Sequence, residues 1–144
     1  MRHRVAALIQ REGRLLVVRQ RSRGPHGRHD GPAYLTPPGG GIEQGETPAQ
    51  AVTREVREEV GLTVLSAQHV ADIAEPGGTT TVFATAVAAG DPTLGVDPEL
   101  DCTCPRMVGL EWVPAPELGA WREPDARSLL RIAAEGAGDA PAGR

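Results

Sequence analysis

The chain has 144 residues, is 40% hydrophobic and carries a formal net charge of −4 at pH 7. That length and composition suit one domain with a filled core, and the acidic balance argues against general nucleic-acid binding while leaving room for a local basic patch. No apolar run is long enough to span a bilayer and the N-terminus shows no signal-peptide pattern, so a cytoplasmic protein without a membrane partner is expected.

In chain order, residues 4–10 and 14–20 are apolar, β-branched runs separated by Arg11-Glu12-Gly13, which reads as a hairpin. The first is nearly continuous in Val5, Ala6, Ala7, Leu8 and Ile9, as in a strand covered on both faces. A polar loop rich in glycine, arginine and histidine follows over 21–31, and a short segment at 33–36 leads into Pro37-Pro38-Gly39-Gly40-Gly41. Those five residues suit neither a regular helix nor a central strand, and their glycines let backbone approach a metal or phosphate closely.

A helix is predicted from Pro48 to Val60. Thr47 is a good N-cap, Pro48 suits the first helical position, Gln50 completes a Thr-x-x-Gln capping box and Gly61 supplies a left-handed stop. At helical spacing Glu55, Glu58 and Glu59 fall within an arc of about 100°, beside a face formed by Ala49, Val52, Val56 and Val60. Close carboxylates repel unless a cation neutralises them, and hard oxygen ligands favour Mg²⁺, with Mn²⁺ as the alternative, over zinc.

Beyond the helix, residues 64–74 and 79–88 read as paired strands around Glu75-Pro76-Gly77-Gly78. The stretch 90–105, with Asp91, Asp97, Glu99, Asp101 and three prolines, is a long loop of the kind that is usually functional or mobile. A strand at 107–113, a helical turn at 116–118 and a terminal helix at 124–135 complete one domain over 1–135, with 136–144 a frayed tail. Cys102 and Cys104, separated by one residue, are awkwardly placed for a mutual disulfide, so reduced thiols are expected, and His3, His26, His29 and His69 offer no zinc spacing to complete a site with them.

Gly40, Glu46 and the run Arg54-Glu55-Val56-Arg57-Glu58-Glu59-Val60-Gly61-Leu62, at the spacings found here, resemble a complete Nudix box with no departure from its consensus. The resemblance implies an α/β fold, an α/β/α sandwich with a mixed β-sheet between helices. It also implies Mg²⁺-dependent hydrolysis of a nucleoside diphosphate linked to some moiety X. Glu55, Glu58 and Glu59 match the family's metal ligands, joined by a carbonyl of Gly39 or Gly40. Glu46 and Arg54 match the ion pair that fixes those ligands. Glu55 or Glu58 is the expected general base, with Glu55 preferred. Many members carry a carboxylate just ahead of the last core strand, where this chain has Arg106; either Glu99 or Asp101 reaches in from the long loop, or the box works alone. Glu111-Trp112-Val113-Pro114 is similar to that last strand in many members, with Trp112 equally well explained as core packing.

Substrate choice is less legible. Arg19, Arg21 and Arg23 suit distal phosphates or a solvated strand edge, and Tyr34, Phe83 and Trp121 are the aromatics available to stack on a base. The short chain favours a nucleoside triphosphate, such as an oxidised purine nucleotide cleared by a house-cleaning enzyme. The alternative is ADP-ribose or another nucleotide sugar, hinted by Pro76. Of another class is a nucleotide-sensing module without turnover, against which the intact glutamates argue. The partner is then a small-molecule nucleotide, with no nucleic acid or membrane, and a homodimer is compatible. A prenyl diphosphate isomerase would need a cysteine ahead of the box, and none stands there.

Overall fold

The first apolar run does not continue into the hairpin as a single strand. A computed structural model, which describes residues 2–28, 30–95 and 106–114, breaks it at Ile9. Residues Arg2–Leu8 form β1, and Gln10–Arg11 form a two-residue β2 that folds back on β3 (Arg14–Arg21), with Arg11 opposite Arg14. Glu12 and Gly13 have φ of 50° and 75°, the doubly positive pattern of a tight two-residue hairpin. The buried Ile9 hands its carbonyl to the Leu16 N–H at 2.9 Å, so the two halves of the run serve different sheets.

The remaining elements are β4 (Ala33–Thr36), β5 (Gly39–Gly41), α1 (Pro48–Val60), β6 (Val64–Glu75), β7 (Gly78–Val87) and β8 (Met107–Pro114). One sheet runs β5-β1-β7-β6, with β1 parallel to β7 and the other pairs antiparallel. In the other, β3 pairs antiparallel with β2, β4 and β8. The glycine segment is therefore a strand, but an edge strand, as its composition allows. Pro76 and Gly77, the latter with φ 87°, turn β6 into β7 with the residue pattern of a type II turn.

Two apolar clusters show which face each side chain takes. Val52, Val56 and Val60 of α1 pack with Val5 and Ala7 of β1, Leu16 and Val18 of β3, and Phe83 of β7. Leu8, Leu15, Val17, Leu35, Ala71, Ile73 and Val82 form the second cluster. Alternation along β3 thus points Gln20 to the α1 side and Arg19 and Arg21 to the other. A bulge interrupts the β3–β8 register: Arg19 lies opposite Gly109 but Gln20 lies opposite Met107.

The helix begins and ends as predicted. Thr47 and Gln50 exchange both capping-box hydrogen bonds, and Gly61 caps the C-terminus with φ 68°. Its buried face differs from the expected one: Ala49 shares the apolar arc but lies exposed in the first turn, Ala51 is buried instead, and Glu59 is buried with the valines. Two orphan carbonyls at the helix end are also satisfied from afar. Thr93 N–H donates to Val60 O and Gly95 N–H to Glu59 O, both at 2.8 Å, with Leu94 packed on the core between them. A Cβ at Gly95 would fall 1.8 Å from Glu58 O, so only glycine fits this strap.

The expected turn at 116–118, the helix at 124–135, the tail at 136–144, and Glu99, Asp101, Cys102, Cys104, Trp121 and His29 lie outside the described residues. Among the described residues no helix is long and apolar enough to cross a membrane.

Candidate active site

The edge strand and the helix face each other through alternate peptide groups. Ala7 N–H donates to Pro38 O at 2.8 Å, Ile42 N–H donates to His3 O at 3.0 Å, and Val5 stands opposite Gly40. Peptide groups of Pro38, Gly40 and Ile42 therefore face β1, and those of Gly39 and Gly41 face away from it, toward α1. Gly39 N–H donates to Glu59 Oε1 at 3.0 Å, and Gly41 O accepts from Arg54 Nη2 at 3.0 Å. Of the two carbonyls expected to assist the glutamates, the ladder thus consumes that of Gly40 and turns that of Gly39 to the site. Gly40 matters through what it lacks: a Cβ there would lie 2.6 Å from Glu55 Oε1.

Arg54 organises the carboxylates. Its Nε and Nη2 grip Glu46 at 2.8 and 3.0 Å in a bidentate pair. Its Nη1 donates to Glu55 at 2.9 Å and Glu58 at 3.3 Å, with Glu43 at 3.7 Å. Glu46 Oε1 also accepts the Glu43 N–H at 3.0 Å, which ties loop to helix. The expected Glu46–Arg54 pair is present, and it reaches two of the three predicted glutamates.

The environments of those three differ. Glu58 is 48% exposed, Glu55 12% and Glu59 only 3%. Burial pushes the Glu59 carboxyl up to about 7, against the opposing Gly39 hydrogen bond and Arg106, and the Glu55 charge adds to the rise. Burial likewise raises Glu55 above the ordinary carboxylate value, although Arg54 pulls it down. Glu46 goes the other way, held down to about 2 by its Arg54 hydrogen bonds. Arg54 itself is raised, chiefly by Glu46.

Among the described residues, no three acidic, histidine or cysteine side chains already converge as a ligand set. Arginines and the Gly39 amide hold the carboxylates instead. The donor chemistry still fits a hard divalent cation: oxygen ligands that raise one another's proton affinity, an outward glycine carbonyl, and a cradle that a Cβ at Gly40 would fill.

The other predicted residues lie elsewhere. Arg19 pairs with Glu111 on the face of β3 turned away from α1, Arg21 donates to Gly31 O at 3.3 Å, and Arg23 is exposed. Among the described residues, the arginines that reach the glutamates are Arg54 and Arg106. Arg106 stood in the sequence only as a missing carboxylate; its Nη2 lies 3.4 Å from Glu59 Oε2. Gln20 and Gly95 were also not singled out, because their roles come from contacts distant in sequence. Of the three aromatics, Phe83 is core, while Tyr34 donates to Gln20 at 2.9 Å.

Comparison with known proteins shows the family to which this fold belongs. The NUDIX domain model matches residues 1–132. An RNA pyrophosphohydrolase of Acidiphilium cryptum is 43% identical over 60 residues, 42% of this chain and 34% of that protein. An 8-oxo-dGTP diphosphatase of Escherichia coli is 73% identical over 26 residues, 18% of this chain and 20% of that protein. The aligned parts thus span about a third and a fifth of these relatives. Among solved structures, a MutT NUDIX hydrolase from Burkholderia pseudomallei is 28% identical with a TM-score of 0.60, covering 93% of this chain and 95% of that one. A NUDIX hydrolase from Nitrosomonas europaea, 24% identical with a TM-score of 0.61 over 92% of this chain and 79% of the other, shares the fold.

Proposed function

From the premise that this chain belongs to the Nudix family, we propose that it is a Mg²⁺-dependent pyrophosphohydrolase acting on a nucleoside diphosphate linked to another group, with a nucleoside triphosphate as the preferred class. The observation that carries the reading is the carboxylate set of α1, with Glu55 and Glu58 held by the Arg54 that also binds Gly41 O, and Glu59 held by the Gly39 amide. Mn²⁺ would be accepted by the same hard oxygens.

Glu55, Glu58 and Glu59, with the Gly39 carbonyl, are the residues that would hold the ion. When bound, it supplies charge neutralisation on non-bridging phosphoryl oxygens and a more nucleophilic water. The chain does the positioning. Glu46 fixes the Arg54 guanidinium, which in turn sets the spacing of Glu55 and Glu58. Gly39 N–H holds one oxygen of Glu59. Glu55 takes the proton from the attacking water, a role that its raised proton affinity suits.

The 8-oxo-dGTP diphosphatase relative, matched over 26 residues, supports an oxidised purine triphosphate. A second reading follows from the RNA pyrophosphohydrolase: the triphosphate end of an RNA presents the same kind of anhydride bond. Against it stands the net charge of −4. The ADP-ribose reading loses its hint, since Pro76 is accounted for by the β6–β7 turn. One panel decides among these. Normal and oxidised nucleoside triphosphates, dinucleotides, nucleotide sugars and a 5′-triphosphorylated RNA oligonucleotide are incubated with Mg²⁺ and scored for products. Glu58→Gln should lower turnover of the best substrate about a hundredfold. A wild-type rate in that variant would remove Glu58 from the ligand set, and no product anywhere would favour a nucleotide-sensing module.

A further inference from the structure

Arg106 sits at the buried end of the site as a built-in side chain. Its Nη1 donates to Gln20 Oε1 at 3.2 Å, and its own carbonyl accepts the Arg21 N–H at 2.8 Å, next to the bulge between β3 and β8. Gln20 is 4% exposed, and the same Oε1 accepts the Tyr34 hydroxyl at 2.9 Å. Two donors on one oxygen fix the amide's orientation, so Gln20 offers Arg106 a rigid acceptor.

The other end of the guanidinium meets Glu59. There Oε1 is taken by the Gly39 amide, and Oε2 faces Arg106 Nη2 at 3.4 Å. Oε2 is therefore the oxygen with which Glu59 would meet a divalent ion, and a cation already stands beside it.

We propose that Arg106 is a positioning residue acting through Glu59: a built-in counter-ion that holds Glu59 Oε2 before the divalent ion arrives and that the ion must displace. The proposal rests on the metal reading of the site given above. A guanidinium and a divalent cation at one carboxylate oxygen repel each other, so Arg106 weakens metal binding while keeping Glu59 aimed. The Gln20 acceptor keeps Arg106 within reach, so the displacement is reversible.

The test is Mn²⁺ binding to the full chain without nucleotide, followed by the EPR signal of free Mn²⁺ at fixed pH and salt. Arg106→Met is expected to bind Mn²⁺ about tenfold more tightly than wild type, and Arg106→Lys, which keeps a cation, to stay within about twofold. The thermal stabilisation given by a fixed Mn²⁺ concentration should rise in the Met variant in parallel. A merely structural role predicts the opposite sign, because a disordered Glu59 binds metal less well. Equal or weaker binding by Arg106→Met, with wild type binding normally, overturns this proposal alone. Absence of Mn²⁺ binding by wild type overturns the metal reading and this proposal together. If Arg106→Met does not fold, Tyr34→Phe carries the test: by loosening Gln20 it should tighten Mn²⁺ binding about twofold, and unchanged affinity overturns the proposal.

Discussion

On its loop flank α1 faces Glu46, which receives two nitrogens of Arg54 and the Glu43 amide and is held down to about 2. On its sheet flank Glu59 is 3% exposed, receives one backbone amide and a longer contact from Arg106, and is pushed up to about 7. Both are glutamates of one sequence motif, within reach of arginines. The difference lies in donors against burial: bidentate pairing near solvent makes Glu46 a permanently charged brace, whereas burial with few donors makes Glu59 a group with a use for another cation.

The contrast breaks most directly at Arg54. Arg54→Met should release Glu46, Glu55 and Glu58 together and lower turnover about 10- to 100-fold, as loss of a ligand-orienting group typically does. Steady-state kinetics at saturating Mg²⁺ checks this, and an unchanged kcat would reduce the pair to a surface salt bridge. Gly95→Ala strikes the other flank from behind. Its new Cβ would collide with the Glu58 carbonyl, shifting the helix end that carries Glu58 and Glu59, at a cost of about 1–3 kcal/mol in denaturant unfolding.

The two flanks also separate by pH. Glu59 has a folded pKa above its unfolded value of 4.5, so its contribution to metal-free stability is full below about 4.5 and is lost as pH rises through about 7, with a slope of at most about 1.4 kcal/mol per pH unit. Glu46, with its depressed value, contributes above 4.5 and loses that contribution as pH falls toward about 2. Unfolding of the metal-free protein from pH 5 to 8 should therefore show a falling component that Glu59→Gln abolishes, and Mn²⁺ affinity should rise across the same window because binding must expel the Glu59 proton. The smallest effect belongs to Tyr34→Phe, about 1 kcal/mol in unfolding free energy, for loss of one hydrogen bond to Gln20.

What could be read in the sequence was local. The capping box, the Gly61 stop and the arc of glutamates depend on residues a turn apart, and all stand where the pattern put them. The strand at 107–113 and the Pro76-Gly77 turn were equally plain from apolar and turn residues, whereas 33–36 reads only as a short segment and is strand β4. The break at Ile9 was not, since a continuous apolar run looks the same whether it serves one sheet or two. Alternation along β3 was legible, but the face that α1 covers was not. Arg19 and Arg21 are therefore candidates for the site by sequence, although they lie on the face of β3 turned away from α1 and Gln20 lies on the α1 face. The contact of Arg106 with Glu59 depends on a bulge and on strand pairing between distant segments, neither of which has a signature in a single chain.

The parallel pairing of β1 with β7 brings Arg2 opposite Gly78 and Leu8 opposite Ala84, across the whole span that contains the glycine loop and the helix. Gly39 is presented to Glu59 only because β5 is laid on β1. Closing so large a loop is slower than forming the β2–β3 or β6–β7 hairpins. The apposition of Gly39 to Glu59 is therefore a long-range contact that neither hairpin makes by itself.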